Sequence, residues 1–132
     1  MLRKKTLFRV GVPLVLETLS PQEQYGAVFE DDGEAGFFYA QDFSKDAANP
    51  IQEALLIYKA SSVTDSAKAS EAAIAWSYDG NHAALFINSH PHAVFDFSSR
   101  RGYSRLNFPK PSKWPCADFK WSDSALAPFS EK

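Results

Sequence analysis

The chain has 132 residues, of which 45% are hydrophobic and 23% are charged, and its formal net charge is −2. This length and composition indicate a single globular domain over residues 1–132, and the charge argues against a strong attraction to nucleic acid or to an anionic membrane. Cys116 is the only cysteine, and no apolar stretch is long enough to cross a membrane, so we expect a cytoplasmic protein without internal disulfides.

The N-terminal third of the chain predicts three strands. Alternating apolar residues favour a strand over residues 7–16, in which Pro13 indicates an edge position or a bulge because proline cannot donate to a ladder. Residues 25–30 and 36–41 are typical of a hairpin, with Asp32-Gly33 at the centre of a tight type I′ turn.

Residues 49–60 predict the one helix of the chain. Asn49 suits the N-cap, Pro50 suits the first helical position, and apolar residues recur at the spacing of one helical face. This face consists of Ile51, Ala54, Leu55 and Tyr58. We expect it to pack on the sheet.

The strongest strand pattern covers residues 71–97. Asp79-Gly80 predicts a second hairpin turn, and a turn centred there pairs Trp76 with Ala83 and keeps the apolar residues of both strands on one face. A third strand is expected over residues 92–97.

These elements predict an α+β fold. The expected sheet is antiparallel and has about six strands in hairpins, in the order β-β-β-α-β-β-β, with one amphipathic helix packed on it. From Arg100 onwards the chain is rich in proline and aromatic residues, so we expect an irregular tail that its aromatic side chains anchor.

Three histidines and one aspartate form the most suggestive polar cluster. His90 and His92 have the spacing that places two imidazoles on one side of a strand, and Asp96 lies on the same side. Followed by Gly102, they resemble the first metal motif of the cupins. Together with His82 they are candidate ligands for a divalent metal, and no other cofactor is predicted. Polar turn chemistry without a metal is the alternative.

A basic and aromatic stretch begins after the third predicted strand of residues 71–97. Arginine, tyrosine and tryptophan dominate the hot spots of protein interfaces, so this stretch is a candidate contact for a protein partner. The candidate residues are Arg100, Arg101, Tyr103, Arg105 and Trp114. The same residues could stack bases and hold phosphates, but the net charge of −2 argues against nucleic acid.

Several motifs resemble those of a small bacterial family of unknown function. They cover most of the chain and comprise Tyr25–Gly33, Trp76–Gly80, Leu85–Asn88, Ala93–Phe97 and Gly102–Pro109. The resemblance implies a bacterial cytoplasmic protein and assigns no catalytic residue.

The leading functional hypothesis is a non-catalytic protein-binding or regulatory domain, of which an immunity-type protein that neutralises a toxin is one version. A small metal-dependent enzyme that uses His90, His92 and Asp96 is the less favoured alternative. A small-ligand-binding domain with a pocket between helix and sheet is the second alternative. A homodimer also stays open as an assembly state.

Overall fold

The computed structural model describes residues 2–44, 50–63, 68–104, 116–120 and 123–129, which form ten strands and two short 3₁₀ segments. In chain order the strands are β1 Leu2–Phe8, β2 Leu14–Leu19, β3 Tyr25–Asp31, β4 Ala35–Asp42, β5 Ile51–Lys59, β6 Ser70–Trp76, β7 His82–Ile87, β8 His90–Asp96, β9 Arg101–Ser104 and β10 Cys116–Lys120. The 3₁₀ segments are Ala60–Ser62 and Asp123–Phe129.

The strands form two sheets that pack face to face as a β-sandwich. One sheet has four antiparallel strands in the order β2-β3-β4-β5. The other has six strands in the order β1-β6-β7-β8-β9-β10, and only β10 pairs in parallel with its neighbour. Because β1 and β2 lie in different sheets, the chain crosses between the layers at its first turn.

The core lies between the two sheets and is rich in aromatic rings. Phe29 and Phe38 from the four-stranded sheet and Trp76 and Phe95 from the six-stranded sheet are all 0% exposed. The rings of Phe38 and Phe95 stack across the interface, with their centroids 4.7 Å apart. Each such burial contributes about 1.5–3 kcal/mol, so this interface is the main source of stability.

The C-terminal 3₁₀ segment covers part of the outer face of the six-stranded sheet. Phe129 and Leu126, in the C-terminal 3₁₀ segment, pack on Ala75, Ala84 and Val94 of β6, β7 and β8. The small alanines leave room for the two larger side chains. The last described residues are therefore part of a second, smaller core.

The predicted α+β fold is wrong, because the predicted helix at residues 49–60 is strand β5. Within the described residues the chain has no α-helix, and β5 pairs antiparallel with β4. The apolar residues of β5 recur at helical spacing, but burial in the sheet does not follow that pattern. Ile51 is 41% exposed, whereas polar Gln52 and Glu53 are buried, and two bulges interrupt the pairing with β4. The expected N-cap, Asn49, lies outside the described residues.

The predicted strand over residues 7–16 is also wrong, because a turn divides it. Gly11 has a φ of +86°, which glycine adopts without strain, and the turn separates β1 from β2. Both strands lie at the edge of their sheets, and Pro13 lies just before β2. The proline therefore marks the strand boundary rather than a bulge.

The two predicted hairpins form, but only one has the predicted register. Trp76 pairs with Ala83 as expected, in strands β6 and β7. In the first hairpin, Asp31 pairs with Gly36, so the turn is centred one residue further along, on Gly33-Glu34. The pairing therefore shifts by two residues, and each side chain keeps its predicted face.

The tail predicted to be irregular contains a strand, whereas the short helical turn expected near Ser122 to Leu126 is confirmed as a 3₁₀ segment. Strand β10, Cys116–Lys120, extends the six-stranded sheet at its edge, and the 3₁₀ segment Asp123–Phe129 follows it. Residues 105–115, which contain three of the tail's four prolines, lie outside the described residues.

A buried carboxylate joins three separate parts of the chain at one end of the sandwich. Asp31 is 1% exposed. Its Oδ2 accepts hydrogen bonds from the Gly11 backbone N–H at 2.8 Å and from the Tyr58 hydroxyl at 2.7 Å. Its Oδ1 accepts a hydrogen bond from the Gly33 N–H at 2.8 Å. The carboxylate thus connects the β1–β2 turn, the β3–β4 turn and β5.

Tyr58 reaches Asp31 by crossing a glycine on the neighbouring strand. A Cβ atom on Gly36 would lie 2.5 Å from the Tyr58 ring, so this position needs glycine. Burial, followed by the hydrogen bond to Asp31 and the charge of Asp31, raises the pKa of Tyr58 well above its usual value. The hydroxyl therefore stays protonated and donates.

We predict that Tyr58→Phe lowers the free energy of unfolding by about 1.5–3 kcal/mol, because it removes a hydrogen bond to a buried charged group. Urea denaturation measures the change. Tyr78→Phe is the matched control, since Tyr78 is 71% exposed, and we expect it to change the free energy by less than about 0.5 kcal/mol. Equal losses in the two variants would contradict this role of Tyr58.

Candidate functional site

The connections β2–β3, β6–β7 and β8–β9 meet at one end of the sandwich, which we call the loop end (residues 20–24, 77–81 and 97–100). The Gln22 side chain donates to the Gly80 carbonyl at 3.2 Å, and the Phe97 N–H donates to the Asn81 carbonyl at 2.8 Å. Loops at the ends of a rigid sandwich are common places for binding sites.

Two of the four predicted metal ligands meet at the loop end. His82 on β7 and Asp96 on β8 are opposite in register, and His82 Nε2 lies 3.3 Å from Asp96 Oδ2. The imidazole also contacts the edge of the Phe129 ring, with centroids 6.4 Å apart.

Asp96 also orders the β8–β9 connection. Its Oδ1 accepts hydrogen bonds from the Ser98 hydroxyl at 2.8 Å and from the Ser99 N–H at 3.1 Å. Burial alone would raise the pKa of Asp96, but the hydrogen bonds from Ser99 and Ser98 and the charge of His82 outweigh it and lower the pKa. Asp96 is therefore a carboxylate with a structural role.

The predicted ligands His90 and His92 lie away from this pair. His90 is the first residue of β8 and Asp96 is the last, so about 20 Å of extended strand separates them. A bulge in the pairing with β7 leaves His92 unmatched, which interrupts the alternation that would place both imidazoles on one side. Among the described residues, no three histidine, cysteine or acidic side chains are grouped to hold a metal. Metal binding stays a prediction.

The predicted partner-binding residues are only partly described. Arg100, Arg101 and Tyr103 are half-buried, and each takes part in interactions within the chain. Tyr103 also packs against the outer core that Phe129 covers. Arg105 and Trp114 lie outside the described residues. Their role in partner binding therefore stays a prediction.

A different exposed surface, which was not predicted from the sequence, lies along β2. Of the six large, exposed hydrophobic side chains in the described residues, four lie between residues 7 and 19. Val15 is 55% exposed and Leu19 is 45% exposed, and exposed Glu17 lies between them on the same face. We call Val15, Glu17 and Leu19 the β2 surface. Three consecutive apolar residues, 14–16, were the available signal, because they make both faces of an edge strand apolar.

A cavity of about 450 Å³ adjoins the β2 surface. Glu17 and Leu19 line one side, Gln41 and Phe43 line the other, and Lys4 reaches in from β1. The Lys4 ammonium group donates to the Glu17 carbonyl at 2.8 Å across the edge of the sandwich. This backbone acceptor is therefore occupied by a flexible side chain rather than by a strand.

The outer face around the β2 surface is acidic. Glu30 on β3 lies opposite Val15 and accepts a hydrogen bond from the Tyr39 hydroxyl at 3.1 Å. Strands β2 and β3 contain no lysine or arginine. Glu17 therefore has no basic neighbour within these two strands.

Two of the motifs in the sequence have structural roles. Tyr25–Gly33 supplies β3 and two members of the Asp31 network, and Ser77, within Trp76–Gly80, accepts a hydrogen bond from the His82 N–H at 3.1 Å. The chain matches the family described as "Uncharacterized protein conserved in bacteria (DUF2251)" over residues 8–130. The chain belongs to this family. The predicted resemblance to a bacterial family of unknown function is thus confirmed.

The chain is also similar to an uncharacterized protein of Haemophilus influenzae. It is 42% identical over 103 residues, which are 77% of this chain and 63% of the relative. The match thus spans less than two thirds of the relative's length. No solved structure matches the chain. In the described residues, no helix is both long and apolar enough to cross a membrane.

We predict that Asp96→Asn destabilises the protein more at pH 7 than at pH 3. The folded-state pKa of Asp96 lies below its unfolded value of about 3.9, so its contribution is present above that pH and is lost as the pH falls through the folded pKa. Urea denaturation at both pH values measures the difference. Glu23→Gln, in an exposed loop, is the control and should have little effect at either pH. Equal destabilisation by Asp96→Asn at both pH values would refute the assignment.

Proposed function

We propose that this chain is a non-catalytic protein-binding domain that takes up an extended segment of a partner protein along β2. The observation that carries the proposal is the exposure of Val15 and Leu19 on an edge strand. Clustered exposed apolar side chains on a sheet edge are typical of interaction surfaces.

An edge strand can bind an extended segment through its backbone. The open side of β2 offers main-chain groups to a new strand, and pockets for alternate side chains then provide specificity. The cavity of about 450 Å³ next to Leu19 provides such a pocket. A docking strand would replace the Lys4 side chain at the Glu17 carbonyl, and an exposed lysine gives up that bond with little loss.

The charges on β2 and β3 indicate which side chains the bound segment has. Glu17 lies between two apolar residues, and β2 and β3 contain no basic side chain. Lys4, which reaches the Glu17 carbonyl from β1, is the cation that a docking strand would displace. A matching strand has a basic residue opposite Glu17 and apolar residues two positions away on each side. The partner chemistry is therefore an extended segment that alternates apolar, basic and apolar side chains on one face.

Two fluorescent ten-residue peptides with the same alternating sequence, one with lysine and one with glutamate at the centre, test this proposal by anisotropy. We expect the lysine peptide to bind about three- to tenfold more tightly, because one exposed pair becomes attractive instead of repulsive. Glu17→Lys should reverse the preference. Val15→Asn should weaken both peptides alike, since it removes apolar contact without changing charge.

Glu23→Lys is the matched control, because it makes the same charge change in an exposed loop outside the β2 surface. It should leave the preference for the lysine peptide intact. Urea denaturation should show that Glu17→Lys remains folded. The proposal would be overturned if neither peptide binds, or if folded Glu17→Lys still prefers the lysine peptide.

A further inference from the structure

A second cleft, at the loop end, lies between the two sheets and has a volume of about 230 Å³. Tyr25, Asp42 and Gln24 line it from the four-stranded sheet, and Phe97 and Arg100 line it from the β8–β9 side. The rings of Tyr25 and Phe97 stack with centroids 4.4 Å apart and form an aromatic wall. Both layers of the sandwich therefore contribute to the cleft.

The carboxylate in this cleft is held in place by its own loop. Asp42 Oδ1 accepts hydrogen bonds from the Ser44 hydroxyl at 2.6 Å and from the Ser44 N–H at 3.0 Å. The Gln24 side chain donates to the Ser44 hydroxyl at 3.2 Å. Fixed polar groups lose little conformational freedom when a ligand binds, so this arrangement is suited to recognition.

Two polar atoms in the cleft have complementary hydrogen-bonding roles, because one is an acceptor and the other is a donor. Neither Asp42 Oδ2 nor the Tyr25 hydroxyl makes a hydrogen bond to a residue that the structure describes, although the two residues are directly opposite in β3 and β4. Burial, followed by the charge of Asp42, raises the pKa of Tyr25, so its hydroxyl remains a donor at neutral pH. The cleft thus presents an acceptor on β4 and a donor on the opposite position of β3.

We infer that this cleft binds a small, neutral ligand rich in hydroxyl groups, of the size of one monosaccharide or cyclic polyol. A hydroxyl group both donates and accepts, so neighbouring hydroxyls can donate to Asp42 and accept from Tyr25 together. A hydrogen bond to the carboxylate is charge-assisted and therefore the stronger one. Phe97 is only 4% exposed, so Tyr25 is the ring of this wall that can contact the apolar face of a sugar.

Size and charge restrict the ligand further. The cleft of about 230 Å³ is smaller than the pockets that hold drug-sized molecules, which start at about 300 Å³. Its lining combines the acid Asp42 with the base Arg100, so its formal charge is balanced. Because these two charges balance, an ion gains no net attraction from the lining, and hydrogen bonding to Asp42 and Tyr25 decides which ligand binds. The inference is independent of the β2 surface, because the cleft shares none of its residues.

The experiment is a titration of the ¹⁵N-labelled full chain with single probes, followed by amide chemical shifts. The hydroxyl-rich probes are glucose, galactose and myo-inositol, and the comparison probes are glycine as a zwitterion and inorganic phosphate as an anion. We expect at least one hydroxyl-rich probe to bind in the millimolar range and to shift the amides of Tyr25, Asp42 and Ser98. Glycine and phosphate should not shift them.

Two variants assign the binding to the cleft. Tyr25→Phe keeps the ring that stacks on Phe97 and removes the hydroxyl, so binding should weaken about five- to tenfold. Asp42→Asn should weaken it about tenfold or more, since the charged acceptor is lost. Tyr78→Phe and Asp32→Asn change exposed residues elsewhere and should leave the affinity unchanged.

Three outcomes would overturn the inference. The first is that no hydroxyl-rich probe shifts the cleft amides at about 50 mM, a concentration well above the expected dissociation constant. The second is that only glycine or phosphate binds, which would assign the cleft to a charged ligand class. The third is unchanged affinity in folded Tyr25→Phe and Asp42→Asn, which would place the bound probe elsewhere.

Discussion

The carboxylate of Asp31 is the interaction on which the arrangement of the sandwich depends. It receives hydrogen bonds from Gly11, Gly33 and Tyr58, which belong to three segments far apart in the sequence. The first of these segments is the turn where the chain crosses from one sheet to the other. Because a buried carboxylate without its donors is strongly unfavourable, these three contacts fix the crossing turn, the first hairpin and β5 relative to one another.

The polar residues divide into two groups with different consequences. Asp31 and Asp96 have both carboxylate oxygens engaged within the chain, so they hold turns and connections together. Within the described residues, only one oxygen of Asp42 accepts hydrogen bonds, and Glu17 is exposed on an edge strand. Only the second group is available to a ligand or partner. The β2 edge and the loop-end cleft are therefore better candidates for binding sites than the histidines.

Sequence patterns within a few residues of one another predicted the hairpins, but they did not predict how strands distant in the sequence pair. The hairpin at Asp79-Gly80 was predicted with its register because the turn residues and the alternation both lie within a few positions of it. Strand β5 was mistaken for a helix because its bulges form only against β4. The loop-end cleft was missed for the same reason, because Tyr25 and Asp42 become neighbours only through strand pairing. For the β2 surface the signs, Pro13 and the apolar run 14–16, were present in the sequence but were taken as parts of one longer strand. His82 and Asp96, two of the four residues predicted as metal ligands, meet because β7 and β8 pair, and the metal role itself stays a prediction.

The pairing of the first strand has a consequence for how the protein reaches this structure. Strand β1, Leu2–Phe8, lies beside β6, Ser70–Trp76, so more than half of the chain must be made before the first strand has its neighbour. Contacts this distant in sequence slow folding, because a long loop must close before they are formed. During synthesis, β1 leaves the ribosome before β6 and has no pairing strand until β6 has been made. Its run of Arg3, Lys4 and Lys5 keeps this waiting segment charged, which reduces its tendency to aggregate.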